Sequence, residues 1–152
     1  VRYHRPSVQG ARAELSANGI SKTISIEGNR LSVEYKLDSA AAPLQTEINL
    51  AMPSCDGFLG RYVVNGEVPG GFGQSFTWEG IRTLTLEDGV LHGRVVLSCS
   101  RPVTINAAPH QTVSQSEAGF EKIMQAVTLK VSNQPQATET LMLTLTVEPM
   151  PD

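Results

Sequence analysis

The sequence predicts an all-β domain, an antiparallel β-sandwich, and three observations carry the prediction. Apolar and polar residues alternate with period two in separate segments spread along the chain. Hairpin turn dipeptides, Gly28-Asn29 and Asp88-Gly89, stand between such segments. The strands are short, roughly eight to ten of them, with turn residues between, which is the spacing of a sandwich or barrel.

The first hairpin covers residues 20–38. "ISKTISIE" leads into the Gly28-Asn29 turn. In "RLSVEYKLD", Leu31, Val33, Tyr35 and Leu37 face one way, while Arg30, Ser32, Glu34, Lys36 and Asp38 face the other. After the connector "SAAAP", "QTEINLAM" forms a strand that Pro53 closes. "NGEVPGGFGQSF" is the main irregular loop, because Pro69, Gly70, Gly71 and Gly73 break regular structure. "IRTLTLEDGVLHGRVVLSC" is a second hairpin that turns at Asp88-Gly89, with Leu91, Val95, Leu97 and Cys99 on one face and His92 outward. "AVTLKVS" and "TLMLTLTVEP" alternate likewise, with "SNQPQATET" as the connector between them. The expected core is Leu31, Val33, Tyr35, Leu37, Leu91, Val95, Leu97, Leu141, Leu143, Leu145 and Val147.

A chain of 152 residues fits one domain: an irregular lead-in over 1–19, the sandwich over 20–148 and a tail over 149–152. Hydrophobic content of 40% and charge of 18% are those of an ordinary globular protein. The net charge of −3 and the lack of a basic run argue against nucleic acid or an anionic membrane as partner. No apolar run approaches the roughly 18 residues that span a bilayer, and "VRYHRPSVQG" has no signal-peptide core. The chain does not open on Met, so we read it as a processed or trimmed piece of something larger. Cys55 and Cys99 make neither a disulfide framework nor a zinc site, and a bridge between them stays open. A buried free thiol at Cys99 is the favoured reading, which suits a reducing, cytoplasmic compartment.

The stretch "HQTVSQSEAGFEKIMQAV", residues 110–127, is polar in its first half and apolar in its second. Ser114 to Glu117 has capping-box spacing, and Phe120, Ile123, Met124 and Val127 fit one helical face. Strands on both sides and the alternation from Val127 to Val131 favour a turn feeding a strand instead. Periodicity leaves the two evenly matched.

"TVSQSEAGFEKIMQAVTL", with "TEINLAMP" upstream and the "LTLEDG" turn between, resembles the C-terminal β-sandwich domain of glycoside hydrolase family 57, the α-amylases and 4-α-glucanotransferases. The resemblance covers roughly residues 20–148; the Thr112 to Glu121 segment is its specific part and the rest is strand pattern. It implies a galactose-mutarotase-like sandwich, and a jelly-roll-like layout fits the same pattern. It also implies that Ser114 to Gly119 is a shaped turn and that a strand starts at Phe120, which anchors it in the core. In that family the catalytic carboxylates sit on a separate barrel domain, which this chain lacks, so none is carried over. The resemblance therefore implies a non-catalytic accessory domain with a catalytic barrel, in cis or trans, and an α-glucan or oligosaccharide as partners.

Chemistry of the chain's own is thinly supported. A glycosidase needs two carboxyl groups about 5–9.5 Å apart. Glu117 and Glu121 are the best local pair, but four residues of strand separate groups by roughly 13 Å. A surface or capping role is favoured for both. A mutarotase-like isomerase or lyase, the alternative function, would need a His beside a carboxylate, and His110 near Glu117 or Glu121 is the candidate. His4 lies in a frayed end. Neither Ser114 nor Ser116 sits in a nucleophile-elbow pattern. No catalytic residue, metal ligand set or cofactor is assigned. The residues offered to a ligand or a partner domain are His110, Thr112, Ser114, Gln115, Ser116, Glu117 and Glu121, arranged around Gly119, with Trp78 and Gln74 as a second group. Phe76 and Trp78 share a strand face, with Gln74 in register; core packing is favoured over a glucan platform. A pure docking domain is the third reading.

Overall fold

The segments that alternate with period two are strands. The computed structural model describes residues 3–17, 19–37, 43–54, 59–117, 119–133 and 140–150. Among these the strands are β1 (Ser7–Gln9), β2 (Arg12–Ala17), β3 (Ile20–Glu27), β4 (Arg30–Leu37), β5 (Leu44–Leu50) and β6 (Gly60–Val64). They continue with β7 (Glu67–Gly71), β8 (Phe76–Asp88), β9 (Gly93–Ser116), β10 (Gly119–Asn133) and β11 (Thr140–Pro149). All pairings are antiparallel, and no helix occurs among the described residues.

Two long strands serve both layers of the sandwich. The first part of β9, to Cys99, pairs with β11 and with the second part of β8. From Val103 onward β9 pairs with the first part of β8 and with β10. The register of β8 slips between Trp78, Ile81 and Thr83, where the two regimes meet, and such irregularities bend a strand. One layer thus runs β1-β2-β3-β4-β11-β9-β8-β6-β7, and the first part of β8, the second part of β9, β10 and β5 build the other. A hydroxyl–hydroxyl bond of 2.8 Å from Tyr35 on β4 to Thr46 on β5 ties the layers together.

The core lies between these faces. Tyr62, Phe72, Leu84, Leu86, Leu97, Ile105, Val127 and Leu129 are fully buried. Tyr35, Leu37, Leu141 and Leu143 are buried as expected, whereas Leu31, Val33, Val95 and Leu145 are half-buried. Leu91 and Val147 were expected inside and are 62% and 58% exposed. Val147 is on the inner face of β11, two residues beyond half-buried Leu145, at the end of the strand where burial falls away; Leu91 is in the turn between β8 and β9.

Other expectations need correction at the edges. The lead-in expected to be irregular holds the β1–β2 hairpin, and the His4 amide donates to the Ser16 carbonyl at 2.8 Å, so that end is tied down. The "NGEVPGG" loop is largely a hairpin. Asn65 and Gly66 have φ of 52° and 83°, the two-residue turn with both φ positive that matches strand twist, and β7 follows at the sheet edge. An edge strand accommodates Pro69, which has no N–H to give to a ladder. His92 is exposed but sits in the β8–β9 turn with φ 49°, not on a strand. Cys99 is buried, and desolvation pushes its thiol up to about 11. Cys55 lies outside the described residues, as do most of "SAAAP" and "SNQPQATET".

Candidate functional site

The polar stretch forms the end of the β9–β10 hairpin. Ser116 pairs with Gly119, Gln115 with Phe120, Ser114 with Glu121, Val113 with Lys122 and Thr112 with Ile123. The strand reading of this stretch is therefore the observed one. The turn is tighter than Ser114 to Gly119: β9 continues through Ser116, Glu117 is in the turn, and Gly119 already belongs to β10. Gly119 has φ 122°, a backbone region that L side chains rarely adopt. Ala118 and the side chain of Ser116 lie outside the described atoms.

Side chains alternate across a hairpin, so the polar group is divided between two faces. Thr112, Ser114 and Glu121 share one face with Ile123. Gln115 lies on the other, with Val113, Phe120 and Lys122. Phe120 does not anchor β10 in the core. It is 78% exposed, and Val113 is 65% exposed. The first strongly buried position on β10 is Met124. Val113, Gln115, Phe120 and Lys122 on the hairpin's last rungs are all exposed, so this face of the hairpin end is open to solvent. Phe120, Val113 and Lys122 were missed as members of this face; pairing outward from the Ser116–Gly119 rung would have found them.

The histidine pairing is not formed by this arrangement. His110 is exposed and lies opposite Ala126, below the bulge between Met124 and Ala126. Four residues of strand, roughly 13 Å, separate its rung from that of Ser114 and Glu121, and Glu117 is farther still.

Trp78 and Gln74 are placed differently from the hairpin. Trp78 is half-buried, stacked on Phe76 with centroids 5.2 Å apart and planes 14° off parallel. Both rings meet the buried Tyr62 edge-on, at 5.4 and 5.6 Å, and Tyr62 meets Phe72 likewise at 5.1 Å. The two rings pack against the core and stay partly open. Gln74 precedes β8, and its side-chain carbonyl accepts the Gly71 amide at 3.0 Å. It shapes a turn.

Asp88 is the one fully buried carboxylate among the described residues, and its oxygens are occupied. It accepts from the Ser54 hydroxyl at 2.5 Å, the Ser54 amide at 3.0 Å, and the Val90 and Leu91 amides at 3.0 and 3.1 Å. Burial pushes its pKa up, but the bonds from Ser54, Leu91 and Val90 outweigh it and hold the carboxyl below its ordinary value. It fixes the turn between β8 and β9. Among the described residues, no three His, Cys, Asp or Glu side chains converge as a metal site would require.

With this geometry in place, the likeness to known proteins has a frame. A crystal structure of 4-α-glucanotransferase from Thermococcus litoralis matches 97% of this chain with a TM-score of 0.63 at 19% identity, a likeness of fold. The chain spans only 22% of that glucanotransferase chain. No curated protein sequence matches. Residues 8–147, a span that holds β2 to β10 whole, match the family model described as alpha-amylase/4-alpha-glucanotransferase, C-terminal, and the chain belongs to that family of C-terminal domains.

Proposed function

We propose that the chain is a non-catalytic accessory domain of a glycoside hydrolase family 57 α-amylase or 4-α-glucanotransferase, working in the cytoplasm beside a catalytic domain that acts on α-glucan. One observation carries the reading: the family match extends over nearly the whole chain and is a match to the C-terminal domain alone. The spread of His110, Glu121 and Glu117 along the hairpin, the first two on well-separated rungs and the last in the turn, supports it, since acid–base chemistry at a sugar needs such groups convergent. The hairpin end is the surface offered to α-glucan. There the exposed Phe120 ring, flanked by Gln115, joins an apolar plate to an amide that can serve sugar hydroxyls. Titration of the chain with maltooligosaccharide by calorimetry tests this: binding that Phe120→Ala with Gln115→Ala abolishes is expected. Release of reducing sugar by the isolated chain would overturn the non-catalytic reading.

A further inference from the structure

Burial on the inner face of the larger layer falls off in one direction along β4, β11 and the first part of β9, while β8 stays buried through Leu86 and Asp88. Along β11 it declines from Leu141 and Leu143, each 2% exposed, through half-buried Leu145 to Val147 at 58%. Along β4 it declines from Leu37 and Tyr35 to half-buried Val33 and Leu31, and on β9 from Leu97 to half-buried Val95. Ile26 on β3, paired with Leu31, is 59% exposed. The pairings Ile26–Leu31–Leu145 and Val147–Val95 set these side chains in adjoining rows. Leu91 extends the second row, because it lines one cavity of about 410 Å³ with Met52, Val95 and Val147. A second hollow of about 230 Å³ opens on the first row, beside Leu31, Leu145 and Ile48. The result is an apolar shelf that continues the core beyond its cover.

We propose that this shelf docks the catalytic domain of the enzyme to which the chain belongs. The inference rests on the accessory-domain reading above. In the matched glucanotransferase more than three quarters of the polypeptide lies outside the region this chain covers, so a body large enough to cover the shelf accompanies this fold there. The charges on the shelf point to an apolar contact. Arg94 and Glu148 at its edge neutralise each other through bonds of 2.7 and 2.9 Å to one carboxylate oxygen, and Lys22 and Glu47 stand at the rim of the second hollow. An apolar centre with a neutral or balanced polar rim is the anatomy of a lasting protein interface. The two hollows accept projecting side chains of the partner.

The test titrates this chain with a catalytic domain of the same enzyme family from the same organism, expressed separately, and follows affinity by calorimetry. Leu91→Asp with Val147→Asp alters the shelf; Val113→Ser with Phe120→Ser alters the hairpin. All four side chains are exposed, so unchanged melting temperatures are the check on folding. The expected result is binding by wild type and the hairpin variant, with about a hundredfold loss or more for the shelf variant. Equal affinity for wild type and shelf variant would overturn the docking inference and leave the accessory role standing. Self-association of wild type that the shelf variant abolishes, with no binding of the catalytic domain, would assign the shelf to a second copy and also overturn it. A monomeric wild-type chain that binds no catalytic domain would overturn both readings.

Discussion

The Tyr35 hydroxyl meets the Thr46 hydroxyl at 2.8 Å and so joins β4 of one layer to β5 of the other. Ile48 and Leu143 line the same hollow as this pair, and the Lys22 ammonium lies over the Tyr35 ring, 5.3 Å from its centroid. Tyr35→Phe should cost about 1 kcal/mol, the net worth of a neutral hydrogen bond, when stability is measured by urea unfolding. Thr46→Val should cost a similar amount, and the double variant little more than either alone, because each single change already removes the shared bond.

Asp88→Asn should destabilise the chain by about 2 kcal/mol at neutral pH, since an amide cannot accept four donors as a carboxylate does. The folded-state pKa lies below the ordinary value of 3.8. Its contribution is therefore complete above that value and is lost as pH falls through the lower folded-state pKa. Urea midpoints recorded down an acid series should show the wild type losing stability in that window. The Asp88→Asn variant should lose less there.

Cys99 should resist thiol reagents. It is 7% exposed, and burial pushes its pKa up to about 11, so little thiolate exists at neutral pH and little of the side chain meets solvent. In a Cys55→Ser chain, modification by a disulfide reagent should be slow in buffer and fast in denaturant. Rapid modification in buffer would place the thiol outside the core.

Period-two alternation disclosed the strands because it reports which face a side chain takes. It does not report how far the opposite layer extends. Tyr35, Leu141 and Val147 obey the same alternation, yet Tyr35 and Leu141 are buried and Val147 is 58% exposed. Phe120 likewise lies on a strand but is 78% exposed, at the end of the β9–β10 hairpin. The β6–β7 hairpin was hidden by Pro69 and the glycines, although Asn65-Gly66 is itself a strong turn signal. For the hairpin site, the composition of the polar stretch was legible, but its division between two faces depended on the turn position. A shift of one residue moves every side chain to the other face.

The hairpin end should be dispensable for stability while its root is not. Phe120→Ala removes a ring that is 78% exposed, and the change in unfolding free energy should stay within about 0.5 kcal/mol. Four residues along the same strand, Met124 is 8% exposed and packs in the core, so Met124→Ala should cost about 2–5 kcal/mol. Gly119→Val acts through the backbone. Its φ of 122° is strained for any β-branched residue, and the local distortion should cost on the order of 1–3 kcal/mol unless the hairpin end opens. Opening would spare the sandwich, because Phe120 and Val113 on the last rungs are 78% and 65% exposed. Amide exchange separates the two responses: protection should fall at Lys122 and Phe120 in Gly119→Val while Leu129 and Val131 keep theirs. A comparable loss at Leu129 would mean that the hairpin end and the core unfold as one unit, and the hairpin would then be a structural brace.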